Sequence, residues 1–520
     1  MIDGAVGQED GVLPVVLLSH RGPASFRRTA SGLTVKRGAG GLVTALMGLA
    51  EHLDDAVWVC AAATDADAAV AAEHEGHPVE IAFDPEPQLV DADTAADAPT
   101  LNVRLVDVDR DRHDMFYGEI ANPLLWFVQH ELYGLGTQPD ITAATHRAFA
   151  DGYVAVNEQF ADAVAEEVES RGGHAIVLLQ DYHFYLVGAL VRRRCPDAVI
   201  SHFVHIPWPG PDAWRVLPTD MRERLLRGLL GCDVVAFHTR RFARNFLRCA
   251  QELLGLDVDL AAGTVKVGDR TVSARAYPIS VDVDAVEKVA ASEEVAARGA
   301  TLADTLLAGD PAADRRQLVV RVDRTDPSKN IVRGFRAFGL LLDQHPELVG
   351  RVTFLASLMP SRTDVPEYAD YLAQVGAVVA EVNARHHAES WQPIDLRLQE
   401  DLAFAMAAYQ LADVLVVNAV NDGMNLVAKE AVLVNQRDGV LVLSENTGAH
   451  EELGPYAVTV QPFDLQQQAD AMYAALTMPV GRRREMLAGA AEMVRRNDVQ
   501  QWLSAQLEEL TGLETAKPRP

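Results

Sequence analysis

Cysteine is scarce: Cys60, Cys195, Cys232 and Cys249 are the only four in 520 residues, and they do not stand at metal-ligand spacing. That excludes a disulfide framework and a structural zinc site, and fits a reducing cytoplasm. No apolar run reaches the about 18 residues of a helical membrane span. The opening MIDGAVGQEDGVLP lacks a basic start and a long apolar stretch, so no secretory leader is expected. Positive charge is short as well, with 46 Lys and Arg against 74 Asp and Glu and a formal net charge of −28. Such a field repels nucleic acid and anionic membrane. An anionic substrate therefore needs a local basic pocket, which makes arginines and lysines beside glycine turns informative.

The chain is long for one core, and 49% hydrophobic with 23% charged residues is the composition of a globular protein. Short β-branched or apolar runs alternate with helical periodicity throughout. They include Pro14 to Ser19, Ala56 to Ala61, Ala175 to Leu179, Ala198 to His205 and Asp233 to Phe237. A second series follows at Gln317 to Val322, Arg351 to Ala356, Asp395 to Leu398, Asp413 to Asn418 and Gly439 to Ser444. This is the rhythm of βα units on parallel sheets. The reading is α/β, with one doubly wound Rossmann-like lobe over 14–278 and another over 279–495. A helix over 496–511 is expected to return to the first lobe, with tails at 1–13 and 512–520. The stretch Leu42 to Leu53 reads as a helix, and the Asp/Ala-rich segment from Thr64 to Thr100 as an irregular surface excursion.

Four segments carry chemistry. Ser19-His20-Arg21 with Gly38-Ala39-Gly40-Gly41 places backbone N–H groups and a guanidinium at a strand end, suited to phosphate, although such glycines also serve ordinary turns. Val320-Arg321-Val322-Asp323-Arg324-Thr325-Asp326-Pro327-Ser328-Lys329 carries Arg324 and Lys329, two cations five positions apart after a buried strand, where they could neutralise a departing diphosphate. A solvated loop with Asp323 and Asp326 as counter-ions is the plain alternative. In Asn421-Asp422-Gly423-Met424-Asn425-Leu426-Val427-Ala428-Lys429-Glu430 a turn opens a helix. Asp422 is placed to accept from sugar hydroxyls, and Glu430, about two turns on, suits a ribose diol. An Asp/Asn cap with a solvated Glu430 would look the same. Asp181-Tyr182-His183 and His205-Ile206-Pro207-Trp208-Pro209 end two further strands, with His205 either a sugar contact or a core histidine.

Taken in order, LLQDYHFYLV, HIPWPGPDAWRVLP, VDRTDPSKN, MPSRTDVPEY and NDGMNLVAKEAV resemble the signature blocks of the trehalose-6-phosphate synthases, retaining GT-B glycosyltransferases of family 20. The resemblance runs from about Val15 to Leu510. It implies two lobes facing a central cleft and transfer of glucose from UDP-, GDP- or ADP-glucose to glucose 6-phosphate, giving trehalose 6-phosphate with retention. It implies that Gly40, Gly41, Arg324 and Lys329 hold the donor diphosphate and that Asp422, Met424, Asn425, Leu426 and His205 hold the transferred glucose, with Glu430 on the ribose. It implies Arg21, Tyr117, Trp126, Asp181, Tyr182 and Arg362 for the acceptor, the two arginines on its phosphate. The catalytic set expected on this basis is Asp181, His205, Arg324, Lys329 and Asp422, acting by front-face substitution without metal, cofactor or carboxylate nucleophile.

The sequence departs from the family pattern in places. His20 stands where an asparagine is common, Val59-Cys60-Ala61 lacks the second tryptophan that some members carry after the matching strand, and Pro327 and Asn330 replace a common tyrosine and glycine. Two alternative functions remain: a pseudoglycosyltransferase coupling cyclitols, which the retained Ser361-Arg362 and Tyr117 argue against, and a non-catalytic sugar-nucleotide sensor. No fused phosphatase domain is expected, so a separate phosphatase would act on the product. The nucleotide base and the oligomeric state, a homo-oligomer included, are left open.

Overall fold

The computed structural model describes residues 14–29, 32–38, 47, 55–83, 87–90, 100–307, 316–388 and 391–515. These fall into two compact units: the described residues up to Tyr277 with those from Gln500 onward, and Pro278–Val499. No described helix is long and apolar enough to cross a membrane.

The first unit is built on an eleven-stranded sheet whose middle is parallel. Six neighbouring strands run in the order Val234–Phe237, Val199–Val204, Ile176–Gln180, Val15–Leu18, Ala56–Ala61, Thr100–Val106. Most of these strands are buried at every position, as uninterrupted apolar runs require when helices cover both faces. From Val15–Leu18 the chain first adds strands on one side, then returns to Ile176–Gln180 and builds on the other. The order thus reverses between those two strands, and their carboxyl ends flank the crevice where open α/β sheets take ligands. Ser19-His20-Arg21 and Asp181-Tyr182-His183 lie there.

The second unit carries six parallel strands ordered Ile394–Leu398, Val352–Met359, Gln317–Arg324, Val414–Val417, Val440–Ser444, Val458–Val460. Its reversal lies between Gln317–Arg324 and Val414–Val417. Phe335 and Phe338 of helix Ile331–Gln344 meet Phe354 edge-on at 5.3 and 5.2 Å, anchoring that helix across the sheet.

One expectation changes. The segment after Thr64 is ordered, with helix Asp65–Glu73 and strand Val79–Ala82. The Thr64 hydroxyl accepts from the Asp67 backbone at 3.1 Å, and the Asp67 carboxylate accepts from the Thr64 backbone at 2.9 Å. This reciprocal cap starts a helix that the Asp/Ala composition conceals. The same carboxylate accepts from Phe26 N at 2.6 Å, tying down a hairpin of Ala24–Thr29 and Gly32–Arg37. The proposed helix from Leu42 to Leu53, apart from Met47, lies outside the described residues, as do the glycines Gly40 and Gly41.

Helix Thr219–Leu229 crosses helix Val187–Arg194 at a contact only glycine allows. A Cβ on Gly228 would lie 2.2 Å from the Tyr185 carbonyl oxygen and 2.8 Å from Leu186 Cα, backbone atoms that cannot step aside. Gly228→Ala is therefore expected to destabilise the first unit by about 1–3 kcal/mol. A lowered urea midpoint with an unchanged slope checks this.

Candidate active site

In the second unit, strand Gln317–Arg324 delivers its chain into a turn organised by Asp326. This carboxylate is fully buried and accepts from Ser328 N at 2.9 Å and Ser328 Oγ at 2.8 Å, which folds Pro327–Lys329 into one 3₁₀ turn. Pro327 sits at the first helical position, where a missing N–H costs nothing. Asn330 closes the turn with φ of +58°, the left-handed region favoured by glycine and tolerated by asparagine. That explains why Asn can stand in for the family's glycine. Its side chain adds what glycine lacks, donating to Asn418 O at 2.9 Å and Pro462 O at 2.7 Å and accepting from Arg333 at 2.9 Å.

The turn presents Lys329 across the reversal point. Its Nζ lies 2.5 Å from Asp422 Oδ2, an oxygen that also accepts from Asn425 Nδ2 at 3.0 Å. Burial alone would discharge this lysine, but the Asp422 and Asp323 carboxylates outweigh it and hold its pKa above the ordinary value. Beneath it the buried Arg321 donates to Asp323 at 2.9 Å, to the Lys329 carbonyl at 2.8 Å and to Asn418 Oδ1. Asp323 thus pairs with Arg321, whereas Arg324, one-third exposed, stands 4.0 Å from Asp326.

Loop 421–425 is held from behind by segment 444–450. Gly448 N donates to Asp422 O at 3.0 Å and Ala449 N to Met424 O at 2.8 Å. A Cβ on Gly448 would fall 1.9 Å from Gly423 O, so the approach needs glycine. Asn425, with φ of +80°, caps helix Leu426–Val434 by accepting from Ala428 N at 3.0 Å. Met424 is buried and Leu426 half-buried. Glu430 on that helix is partly exposed; burial pushes its carboxyl up to about 7, opposed by a hydrogen bond with Tyr409.

Arg362 also belongs to this unit. Its Nη1 donates to the Tyr368 hydroxyl at 2.5 Å and to Asp326 at 3.3 Å, with the guanidinium 5.2 Å from the Tyr368 ring centre. Arg324, Lys329, Asp422, Met424, Asn425, Leu426, Glu430 and Arg362 are thus carried by adjoining loops and one helix of the second unit.

In the first unit Asp181, with φ of +71°, ends its strand. Its N donates to Phe203 O at 2.7 Å and its Oδ1 accepts from His205 N at 3.2 Å, joining the two strand ends. Tyr182 is buried and donates to Asn122 Oδ1 at 2.8 Å, and Trp126 packs edge-on against it at 5.5 Å. Tyr117 belongs to a set of nearly parallel rings in which His20 lies 4.7 Å from His183 and 5.0 Å from Tyr117. Arg21 is exposed beside them, held through Ser19 Oγ, which donates to the Arg21 carbonyl at 2.6 Å. Arg21, Asp181 and His205 thus stand just past neighbouring strand ends, with Tyr182 in the turn after Asp181, while Tyr117 and Trp126 are carried by the helical segments Asp114–Leu125 and Trp126–Gln129 packed against them. The sequence reading gave no role to Arg321 or Gln180, although both lie inside quoted segments, nor to Asn122; their only signal is a polar side chain beside a buried apolar run.

The family described as Glycosyltransferase family 20 matches residues 14–512. A validamine 7-phosphate valienyltransferase from Streptomyces hygroscopicus subsp. jinggangensis is 33% identical over 76% of each chain. A UDP-forming alpha,alpha-trehalose-phosphate synthase from Aspergillus niger is 31% identical over 89% of this chain and 90% of its own. The crystal structure of a UDP-forming alpha,alpha-trehalose-phosphate synthase from Burkholderia xenovorans in complex with glucose-6-phosphate superposes with a TM-score of 0.77. It is 26% identical and covers 96% of this chain and 100% of its own.

The turn at Asn330 yields a ranking. Asn330→Gly removes three side-chain hydrogen bonds but relieves the left-handed backbone, whereas Asn330→Ala removes the bonds and keeps the strain. Alanine is expected to cost roughly 1 kcal/mol more than glycine, read as the difference in unfolding midpoints of the second unit.

Proposed function

The chain belongs to glycosyltransferase family 20, and from that premise we propose that it moves glucose from a nucleoside diphosphate glucose to glucose 6-phosphate, releasing the diphosphate and keeping the anomeric configuration. The observation that carries the reading is the cation pair of Arg324 and Lys329 beside Asp422 at the reversal point of a doubly wound unit of the GT-B fold. Departure of a nucleoside diphosphate concentrates negative charge on phosphate oxygens. A cation about 4 Å away is worth about 4 kcal/mol at an effective dielectric of 20, against about 1 in bulk water. Lys329, largely shielded from solvent, is positioned to supply the larger figure.

The carboxylates fit front-face substitution. Asp422 Oδ2 already accepts from Lys329 and Asn425, which makes it a poor nucleophile but leaves the group able to accept from sugar hydroxyls. Positioning and electrostatic stabilisation of the leaving group then supply the acceleration. The acceptor would lie against Tyr117, Trp126, Asp181 and Tyr182 of the first unit, with Arg21 on its phosphate. Four free, buried cysteines suit the reducing cytoplasm.

Coupling of cyclitols stands as the second reading, favoured by the identity to the valienyltransferase. The acceptor named for that relative is itself phosphorylated, so a retained phosphate arginine does not separate the two readings. The ring that is transferred does. Donors UDP-, GDP- and ADP-glucose offered with glucose 6-phosphate should yield an α,α-linked disaccharide phosphate by NMR. No product from any of them, with coupling of a valienyl donor to validamine 7-phosphate, would overturn the first reading. Arg324→Ala and Lys329→Ala should each lower kcat by about 10²-fold or more while the acceptor KM moves little.

Glu430 gives a pH test. Ribose hydroxyls donate best to a carboxylate, and the free carboxyl titrates at about 7, raised by burial. Donor affinity should therefore rise as pH increases from about 6 to 8, with proton release on binding, and Glu430→Gln should flatten the profile. Titration calorimetry in buffers of different ionisation enthalpy reads both.

A further inference from the structure

We infer that Gln180 is a positioning residue that fixes His205 in the tautomer protonated on Nε2, leaving Nδ1 as a hydrogen-bond acceptor aimed at a substrate hydroxyl. The inference rests on the reading of His205 as a sugar contact and adds how that contact is set. Gln180 ends strand Ile176–Gln180 and is buried, and its Oε1 lies 2.8 Å from His205 Nε2. An amide oxygen carries lone pairs and no proton, so the hydrogen of this bond must sit on Nε2. A neutral imidazole then has its remaining lone pair on Nδ1.

The ring has little freedom to answer otherwise. Phe203 stacks on it at 4.5 Å and 25°, His238 lies tilted at 5.1 Å, and Trp502 of the C-terminal helix lies at 6.2 Å. Its backbone N is pinned to Asp181 Oδ1. The groups around it also oppose a positive charge. Burial, and then the neighbouring His238 and His202, push its pKa well below the ordinary value. His202 is turned away by its own bond from Nε2 to Asp181 O at 3.0 Å. Asp181, whose side chain is taken by the His205 backbone, is the one carboxylate among these neighbours. His205 is therefore an uncharged acceptor, and it favours a ligand that presents a hydroxyl over one that presents only acceptors.

The decisive variant is Gln180→Glu. A carboxylate on Nε2 stabilises the imidazolium, both ring nitrogens become donors, and the acceptor is lost until the pH rises through the new His205 pKa. In wild type kcat/KM for transfer to glucose 6-phosphate should be set by other groups and show no His205 titration. In Gln180→Glu it should fall roughly tenfold at low pH and recover as the pH rises, while Gln180→Leu should lose activity evenly across pH. A residue that merely packs would shift none of these profiles. Independently of any variant, ¹⁵N-histidine spectra of the wild-type protein, with His205 assigned by His205→Gln, should show a protonated Nε2 and a bare Nδ1. A proton on Nδ1, or a Gln180→Glu profile parallel to wild type, overturns the inference. A protein with that tautomer that transfers no sugar instead overturns the reading on which it rests.

Discussion

The ion pair of Lys329 and Asp422 joins two chain segments that are 93 positions apart, one from each side of the strand-order reversal in the second unit. Each partner is useless alone: an unpaired lysine in that position would be pushed toward neutrality, and an unpaired carboxylate would repel a phosphate. Paired, they hold a fixed charge separation at the strand-order reversal. Much of the surrounding structure keeps the pair in register. Arg321 holds the Lys329 carbonyl from below, Asn330 locks the turn onto Asn418 and Pro462, and segment 444–450 presses the Asp422 loop forward.

Backbone strain is concentrated around the same chemistry. Seven described non-glycine residues have positive φ, and four of them, Asp181, Asn330, Arg362 and Asn425, lie in the proposed site or its supporting turns. A left-handed residue costs roughly 1–2 kcal/mol, so it persists only where its surroundings over-determine it. In each of these cases the compensating contact is visible. Asp181 is tied to the neighbouring strand, Asn330 to two carbonyls, Arg362 to Asp326 and Tyr368, and Asn425 to the first turn of its own helix.

The sequence was most readable where chemistry follows directly from a buried strand. The β-branched runs announced the parallel strands, and the turns after them lie at strand ends where open α/β sheets take ligands, which is why Arg324, Lys329, Asp422 and Asp181 stood out as candidates. Partnerships formed at long range were not readable. Asp326 looked like a surface counter-ion because nothing local says that its strand end is roofed over. Asp67 looked like one more acid in an Ala/Asp tract, although it caps its helix and holds the hairpin at Phe26. The contribution of Gln180 depends on a histidine 25 positions away, a distance at which neither periodicity nor spacing carries information.

All four cysteines sit in the first unit, buried and unpaired, and burial raises the pKa of every one of them. A thiol that is both shielded and protonated is slow toward electrophiles. The second unit has none. For optical work the native protein is thus a dark background: a single cysteine introduced on the surface of the second unit would be the one fast-reacting handle, and a dye attached there would report on that unit without first stripping the chain of its own thiols.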